Sequence, residues 1–495
     1  MTPCPANVVR HWLRGALLAL LAAPAAAQAA APAPAAPGGA TQGAAPLPQL
    51  TQARPFTWAP TDDDRGLVRV PVGRGGGWLS VLDPGFQVRL VSSFSSDPTV
   101  EVLLYPSLSG VAGKAERFLL QFPLGALGGA PTPAVVAFHP FGVSEKSPFQ
   151  GSVLPTLCQQ RGWLLIAPYG LIDTNYAQVD AQTALLGALA LVDQYLPIDR
   201  TRLYGVGFSM GALNALSFGM RHQDPDGFRF AGIVDHSGPL DAAQQYAIGD
   251  AALKALLADP DHFGGSPAAK PFEYERISPA PLLGGAIDPL RAAVENLLHV
   301  PIYLHCNMQD PDSSLVTQTL ALHAYLEARG GKVQLSTTMN GSLHAWSTLD
   351  MAAALDFLEP HPLGALPTSM RMHADRPGRW LASTLLAAPG QSIARYRLDR
   401  IAGANAFQLR ETRSLDALAV DLAALGLWPG QPLFLEAESA DGSSDQLVLQ
   451  GYGQPPASVK LFGFLPLPWT HDAGADTLQM TPHPTGTFVL VEVQP

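Results

Sequence analysis

The run Leu203-Tyr204-Gly205-Val206-Gly207-Phe208-Ser209-Met210-Gly211-Ala212-Leu213-Asn214-Ala215-Leu216 decides the fold. Its first residues are an apolar strand, its last residues a helix without proline, and a serine stands between them with a glycine two positions to either side. A serine held on so tight a strand-to-helix turn needs strained backbone, and only small neighbours at 207 and 211 let the two backbones pass. The helix that starts at once beyond it aims its N-terminus at the hydroxyl and favours negative charge there. Ser209 is therefore a candidate nucleophile, with Gly207 and Gly211 as the elbow glycines.

Working outward, the same alternation repeats on both sides. Apolar runs at Ala134 to Phe138, Trp163 to Ala167, Leu203 to Val206, Ala231 to Val234, Ile302 to Leu304 and Val333 to Thr338 read as strands. Between them lie helical stretches with Leu154, Leu157 and Cys158, with Leu185, Leu189, Val192 and Leu196 on one face, and from Met210 to Met220, before a last helix from about Ala345. Unbroken apolar strands alternating with amphipathic helices predict an α/β fold, a mostly parallel sheet covered by helices on both faces. Between Pro239 and Val300 about sixty residues intervene where a crossover needs about a dozen. The insert 239–300, with Gly264-Gly265 and Gly284-Gly285, is a candidate lid or substrate wall over the carboxyl ends of the strands.

Upstream, residues 51–130 carry short apolar runs such as Val68-Arg69-Val70, Val100 to Tyr105 and Arg117 to Phe122, which read as a lead-in sheet to a catalytic domain spanning 51–362. Downstream, residues 363–495 change to period two: Tyr396 to Asp399, Phe407 to Arg410, Leu418 to Leu422, Leu433 to Ala437, Leu447 to Leu449, Leu461 to Leu465 and Phe488 to Val493. Short strands about ten residues apart predict a compact antiparallel, sandwich-like C-terminal β domain.

A serine hydroxyl is a weak nucleophile and needs a base, which in turn needs an acid to orient it. In this architecture the acid follows a later strand and the histidine the last one. His344, in Asn340-Gly341-Ser342-Leu343-His344-Ala345-Trp346, stands there. For the acid, the loop Cys306 to Val316 offers Asp310 and Asp312; Asp312 fits the following helix better in length, Asp310 stands in an Asp-Pro turn, and Asp235 after the preceding strand is a third option. The aspartate not used is expected to cap the helix. The oxyanion needs two donors, the N–H of Met210 and one from the loop Phe138-His139-Pro140-Phe141-Gly142. Pro140 has no N–H, so Phe141 is the candidate. His139, His236 and His305 read as structural, and Tyr169 as a pocket-lining candidate. The base works only as neutral imidazole, so activity is expected to fall as the pH drops through the ordinary histidine range, about 6.5.

The remaining sequence bounds the setting. Arg10 and Arg14, the apolar run Gly15 to Ala23 and Ala25-Ala26-Ala27 before Gln28 predict a cleavable signal peptide over 1–27, too short to be a stable membrane anchor. Residues 28–50, nearly all Ala, Pro, Gly and Gln, read as a linker. A secreted or periplasmic location follows as an expectation. Of three cysteines Cys4 precedes the apolar run, and Cys158 and Cys306 are expected as two separately buried thiols, a single bridge being the alternative. No CxxC pair or HExxH predicts a metal site, and no cofactor is expected. The 30 Lys and Arg against 41 Asp and Glu leave a net charge of −11 with no basic block, which argues against nucleic acid as partner. The 47 glycines and 46 prolines exceed ordinary usage and gather in leader, linker and insert.

Residues of about 130 to 360 resemble an α/β-hydrolase of the esterase and prolyl-oligopeptidase-like branch, and are similar also to secreted polyester depolymerases, on Gly207-Phe208-Ser209-Met210-Gly211, the loop after the His305 strand, and Gly341-Ser342-Leu343-His344-Ala345-Trp346. The stretch Arg410 to Gly430 resembles an accessory β domain found behind such hydrolases. Some 80 residues precede the catalytic unit, too few for the propeller of prolyl oligopeptidases, which needs at least four blades of roughly 40 residues. The resemblance implies a secreted serine hydrolase that cleaves carboxylic esters or amides of a small-molecule or polymeric acyl substrate, without cofactor. A prolyl-oligopeptidase-like peptidase is the alternative, and a non-catalytic binding protein on the same scaffold a more distant one. Oligomeric state is left open.

Overall fold

The computed structural model describes residues 79–80, 85–91, 95, 97–364, 367, 369–376, 378–379, 382–386, 392–440, 445–482 and 489–495. The expected leader, linker and Val68-Arg69-Val70 strand lie outside them.

One sheet contains β1 (Leu79–Ser80), β2 (Phe86–Leu90), β3 (Thr99–Leu104), β4 (Glu116–Gln121), β5 (Thr132–Phe138), β6 (Leu164–Pro168), β7 (Ile198–Phe208) and β8 (Gly232–His236). After a small hairpin of β9 (Leu282–Leu283) and β10 (Ala286–Ile287), β11 (Ile302–Asn307) and β12 (Val333–Thr338) complete it. The order is β1-β2-β3-β4-β6-β5-β7-β8-β11-β12. From β6 to β12 all pairs are parallel. The strands β1 to β4 are antiparallel to one another, and β4 pairs antiparallel with β6. The lead-in strands thus do not form a sheet of their own but extend the main one. The reason lies in β4, where Leu119 and Leu120 are buried on opposite faces, so it needs cover on both sides.

The same division runs through the whole sheet. Val136, Ile166 and Leu203 face α2 (Val179–Tyr195) and α3 (Met210–Arg221), whereas Val135, Leu165 and Tyr204 face α1 (Leu154–Arg161) and α5 (Met351–Leu358). Leu185, Leu189, Val192 and Leu196 are all buried on the first face, as their spacing predicts. Each such side chain contributes about 1.5–3 kcal/mol by leaving water. The last helix starts at Met351 rather than near Ala345: Asp350 caps it, accepting the Ala353 N–H at 3.1 Å, and 340–350 is left as a connection containing one 3₁₀ turn, Trp346–Thr348. Cys158 and Cys306 are buried free thiols, raised by burial to about 12 and about 11.

The insert folds into helices Ala242–Ile248, Ala251–Ala258 and Pro271–Glu275, the β9–β10 hairpin and a 3₁₀ turn at Ala293–Leu297. Its Leu257, Phe263, Tyr274 and Ile277 pack with Tyr176, Met210 and Leu213, so it lies directly against the residue that follows Ser209.

The C-terminal strands form a seven-stranded and a six-stranded sheet around one core that includes Tyr396, Phe407, Leu418, Leu435, Leu449 and Val491. The expected all-antiparallel arrangement is corrected in two places. Ala406–Arg413 runs parallel to Leu433–Ser439, and Leu415–Asp421 parallel to Gln446–Gln450. Successive strands there alternate between the two sheets, so every second strand returns to its own sheet in the same direction. The expected strand Leu461 to Leu465 is instead a hairpin, Ser458–Leu461 against Leu465–Pro466, turned by Phe462 and Gly463 at positive φ.

Ion pairs join these C-terminal strands to the parallel-sheet unit. Arg221, at the end of α3, binds Asp375 in a fork, with Nε–Oδ1 3.1 Å and Nη2–Oδ2 2.6 Å, and Arg276 reaches the same carboxylate at 3.2 Å. Arg371 pairs with Glu295 and Arg395 with Glu275, both glutamates belonging to the insert. Burial alone would raise the pKa of Asp375, but Arg221, Arg376 and Arg276 hold it down to about 2. A carboxylate depressed from 3.8 contributes stability that is full above that value and lost as the pH falls toward 2. Asp375→Asn is expected to cost about 3–5 kcal/mol near neutral pH by stranding buried arginines. In thermal unfolding of the two proteins, the gap between wild type and variant should narrow as the pH drops from about 4 to about 2; a gap that does not depend on pH would refute the assignment.

Candidate active site

Ser209 is the residue that links β7 to α3, with φ 56° and ψ −126°. A non-glycine residue at such a φ is strained and survives only where its surroundings fix it. Its N–H donates to the His236 carbonyl at 2.8 Å, and its own carbonyl accepts the Ala212 N–H at 2.9 Å. The elbow glycines are there for space. A Cβ on Gly207 would lie 2.0 Å from the Gly211 carbonyl oxygen, and one on Gly211 would lie 2.1 Å from that of Phe138. The second contact presses the end of β5, Phe138 and His139, against the start of α3. Gly142 N–H bonds the Asp173 carbonyl at 2.9 Å, and the Phe141 ring lies 5.7 Å from that of Tyr176.

His344 lies on the connection after β12 and Asp310 on the loop after β11. The His344 Nδ1 is 2.7 Å from Asp310 Oδ2; the carboxylate is buried and the imidazole about a quarter exposed. Asp312 lies elsewhere: it is the N-cap of α4 (Ser313–Glu327), accepting the Ser314 N–H at 3.0 Å and its hydroxyl at 2.6 Å. Its own N–H donates to Asp310 Oδ1 at 2.9 Å, so the two aspartates serve different ends of one turn. Asp235 is the third option and is not brought to the histidine. It is buried at the end of β8, accepts the Gly238 N–H at 2.9 Å, and burial raises it to about 7.

The remaining histidines are held structurally. His139 sits between the carbonyls of Pro140 at 2.8 Å and Tyr169 at 2.9 Å. Burial lowers His305 to about 4 and His236 well below the ordinary value, so both are neutral at physiological pH. The Phe208 ring separates His236 from His344, at 4.6 and 4.5 Å between centroids.

Two supports had no signal in the sequence. Asn307, the last residue of β11, donates from Nδ2 to the carbonyls of Gly341 and Leu343 at 2.8 Å each and accepts the Asn340 N–H at 3.1 Å. It staples the histidine loop to the aspartate loop. Glu116, on β4, accepts the N–H groups of Tyr169, Gly170 and Leu171 at 2.7–2.9 Å, and burial raises it to about 7. It shapes the segment on which His139 rests. Each pairing spans tens of residues and was invisible before the strands were placed side by side.

A mostly parallel sheet, a strained serine between strand and helix, and a histidine–aspartate pair on the loops after the last two strands define an α/β-hydrolase fold. No family model matches the chain, and no curated protein matches it. Among solved structures it is similar to the fluorophosphonate-binding serine hydrolase F of Staphylococcus aureus, at 14% identity and TM-score 0.39, over 52% of this chain and 96% of that one. An S-formylglutathione hydrolase from Agrobacterium tumefaciens is similar at 13% and 0.39, over 56% and 98%. The acylaminoacyl peptidase of Pyrococcus horikoshii is similar at 13% and 0.39, over 59% of this chain and 50% of the peptidase.

The two aspartates separate cleanly by substitution. Asp310→Asn should lower kcat by roughly 10⁴-fold on any substrate turned over, because the amide favours the wrong imidazole tautomer. Asp312→Asn keeps a good cap and should leave kcat within about twofold. Steady-state kinetics on both variants checks this, and the reverse ranking would exchange their roles. Gly211→Ala should abolish activity or soluble expression, since backbone rather than a flexible side chain occupies the space.

Proposed function

We propose that the protein is an exported serine hydrolase that cleaves carboxylic esters through an acyl-enzyme. The observation that carries this reading is the 2.7 Å contact of His344 Nδ1 with the buried Asp310 carboxylate, on loops beside a serine whose backbone is strained.

With Nδ1–H donated to Asp310, the neutral imidazole presents an unprotonated Nε2 to the Ser209 hydroxyl. Ser209 Oγ attacks the ester carbonyl while Nε2 takes its proton, and the carbonyl oxygen gathers negative charge. The N–H of Met210, at the positive end of α3, and that of Phe141 receive this charge. Collapse expels the alcohol, which leaves with the proton from Nε2. Water then repeats the sequence on the acyl-enzyme, releasing the acid and restoring Ser209. Exposed Phe141, Val143, Met308, Met339 and Leu343 stand on the same three loops and favour a substrate with an apolar acyl part. The leader 1–27 supports export.

The test is a panel of p-nitrophenyl esters beside aminoacyl and prolyl nitroanilides, with fluorophosphonate labelling of the intact protein. Esters should be turned over, and label should sit on Ser209. Ser209→Ala should lose the label and at least about 10⁴-fold in kcat. Turnover confined to the nitroanilides would make it a peptidase, and full turnover by Ser209→Ala would end the proposal.

A further inference from the structure

We propose that His236, the last residue of β8, is a positioning residue that ties the nucleophile to the base through opposite ends of one side chain and main chain; this rests on the roles of Ser209 and His344 above. His236 is fully buried. Its carbonyl accepts the Ser209 N–H at 2.8 Å, which helps to hold the serine at positive φ. Its Nε2 lies 2.9 Å from the Thr348 hydroxyl, and that hydroxyl lies 3.0 Å from the carbonyl of Ala345, the residue after His344.

Counting hydrogens fixes the direction of this chain. Thr348 has one hydroxyl hydrogen, and the Ala345 carbonyl can only accept. His236 Nδ1 is buried with no hydrogen-bond partner, so a proton placed there would be a buried N–H without an acceptor, which is unfavourable. The proton therefore sits on Nε2, His236 donates to Thr348, and Thr348 donates to Ala345. Burial keeps the ring neutral, and the adjoining imidazoles of His305 and His344 push the same way. The ring lies against Phe208, against His305 at 4.9 Å and against Trp346 at 6.2 Å between centroids. It thus acts through Thr348 on the connection that carries the base, while its carbonyl acts on the serine. A shift of β8 would move both together, so their separation is conserved.

The experiment uses the full chain with His236→Phe, Thr348→Val, the double variant, and the conservative His236→Gln and Thr348→Ser. Hydrolysis of a p-nitrophenyl ester and the rate of fluorophosphonate labelling are measured. His236→Phe and Thr348→Val should each lower kcat about 10- to 100-fold with KM within about twofold, since small misplacements of a base carry costs of that size. The conservative variants should recover most of the loss, and the double variant should be no worse than the worse single one. Unchanged kcat in folded His236→Phe, or losses that multiply independently, would overturn the proposal. Because a core variant can fail to fold, ¹⁵N spectra of histidine-labelled wild type provide a second reading: a proton on Nδ1 of His236 overturns the relay without any mutation. A wild type that neither hydrolyses nor labels would overturn the serine-hydrolase reading and the positioning role with it, whereas an active wild type with unaffected variants overturns the positioning role alone.

Discussion

Everything at this site depends on one close approach of backbone to backbone. Where the Gly207 and Gly211 α-carbons meet the carbonyls of Gly211 and Phe138, there is no room for a methyl group. That contact lets Ser209 stand at positive φ at the end of β7, and it brings the β5 loop onto the first turn of α3. The strain has to be held by neighbours, because a free turn would relax out of it. The His236 carbonyl on one side and the burial of Phe138, Phe208 and Met210 on the other supply the restraint. The strained conformation of Ser209 is thus a property of three strands, not of five residues.

The contact between His344 and Asp310 is assembled by a different device. Neither β11 nor β12 holds His344 directly, because it sits on a connection about ten residues long before α5 begins. Asn307 fixes that connection from the β11 side through the carbonyls of Gly341 and Leu343, and Gln309 accepts the Gly341 N–H at 2.9 Å. The loop that carries Asp310 therefore also places His344, so the 2.7 Å contact is set by one turn of chain. Asp312, two residues beyond Asp310, ends that turn by starting α4.

What could be read in the sequence follows from the range of the forces involved. The parallel sheet and its helices were legible because burial on two faces leaves unbroken apolar runs, and the elbow because its glycines are two residues from the serine. Ser209 and His344 could be singled out as candidates by their place in the strand order alone. Between Asp310 and Asp312 the sequence could not choose, since two positions apart in a loop differ in direction rather than in composition, and the direction is set by Asn307 and by the cap on α4. Asn307, Glu116 and His236 carry no local pattern at all. Their partners described above lie 27 or more residues away along the chain, and a single sequence holds no trace of such pairings. The lead-in strands β1 to β4 were legible as strands, but their pairing with β6 was not, for the same reason: strand period reveals a strand, not its neighbour.

The β domain belongs in the same frame. The α3 helix begins at the serine and ends at Arg221, and both ends are fixed. The N-terminal end is held by the elbow, while the C-terminal end is held by the fork to Asp375, in a pocket where Gln182 accepts from Arg221 Nη1 at 2.6 Å and His222 accepts from Arg376 at 2.9 Å. Such a buried cluster is costly to desolvate, and replacing it with apolar side chains would often be as stable. What charged forks add over apolar packing is direction, since they fix the rotation of the helix about its axis as well as its depth. Rotation of α3 is the variable that aims its first N–H groups at the oxyanion of the proposed reaction. The domain that contributes Asp375 therefore bears on the geometry at Ser209 from the far end of one helix, whatever else its own surfaces bind.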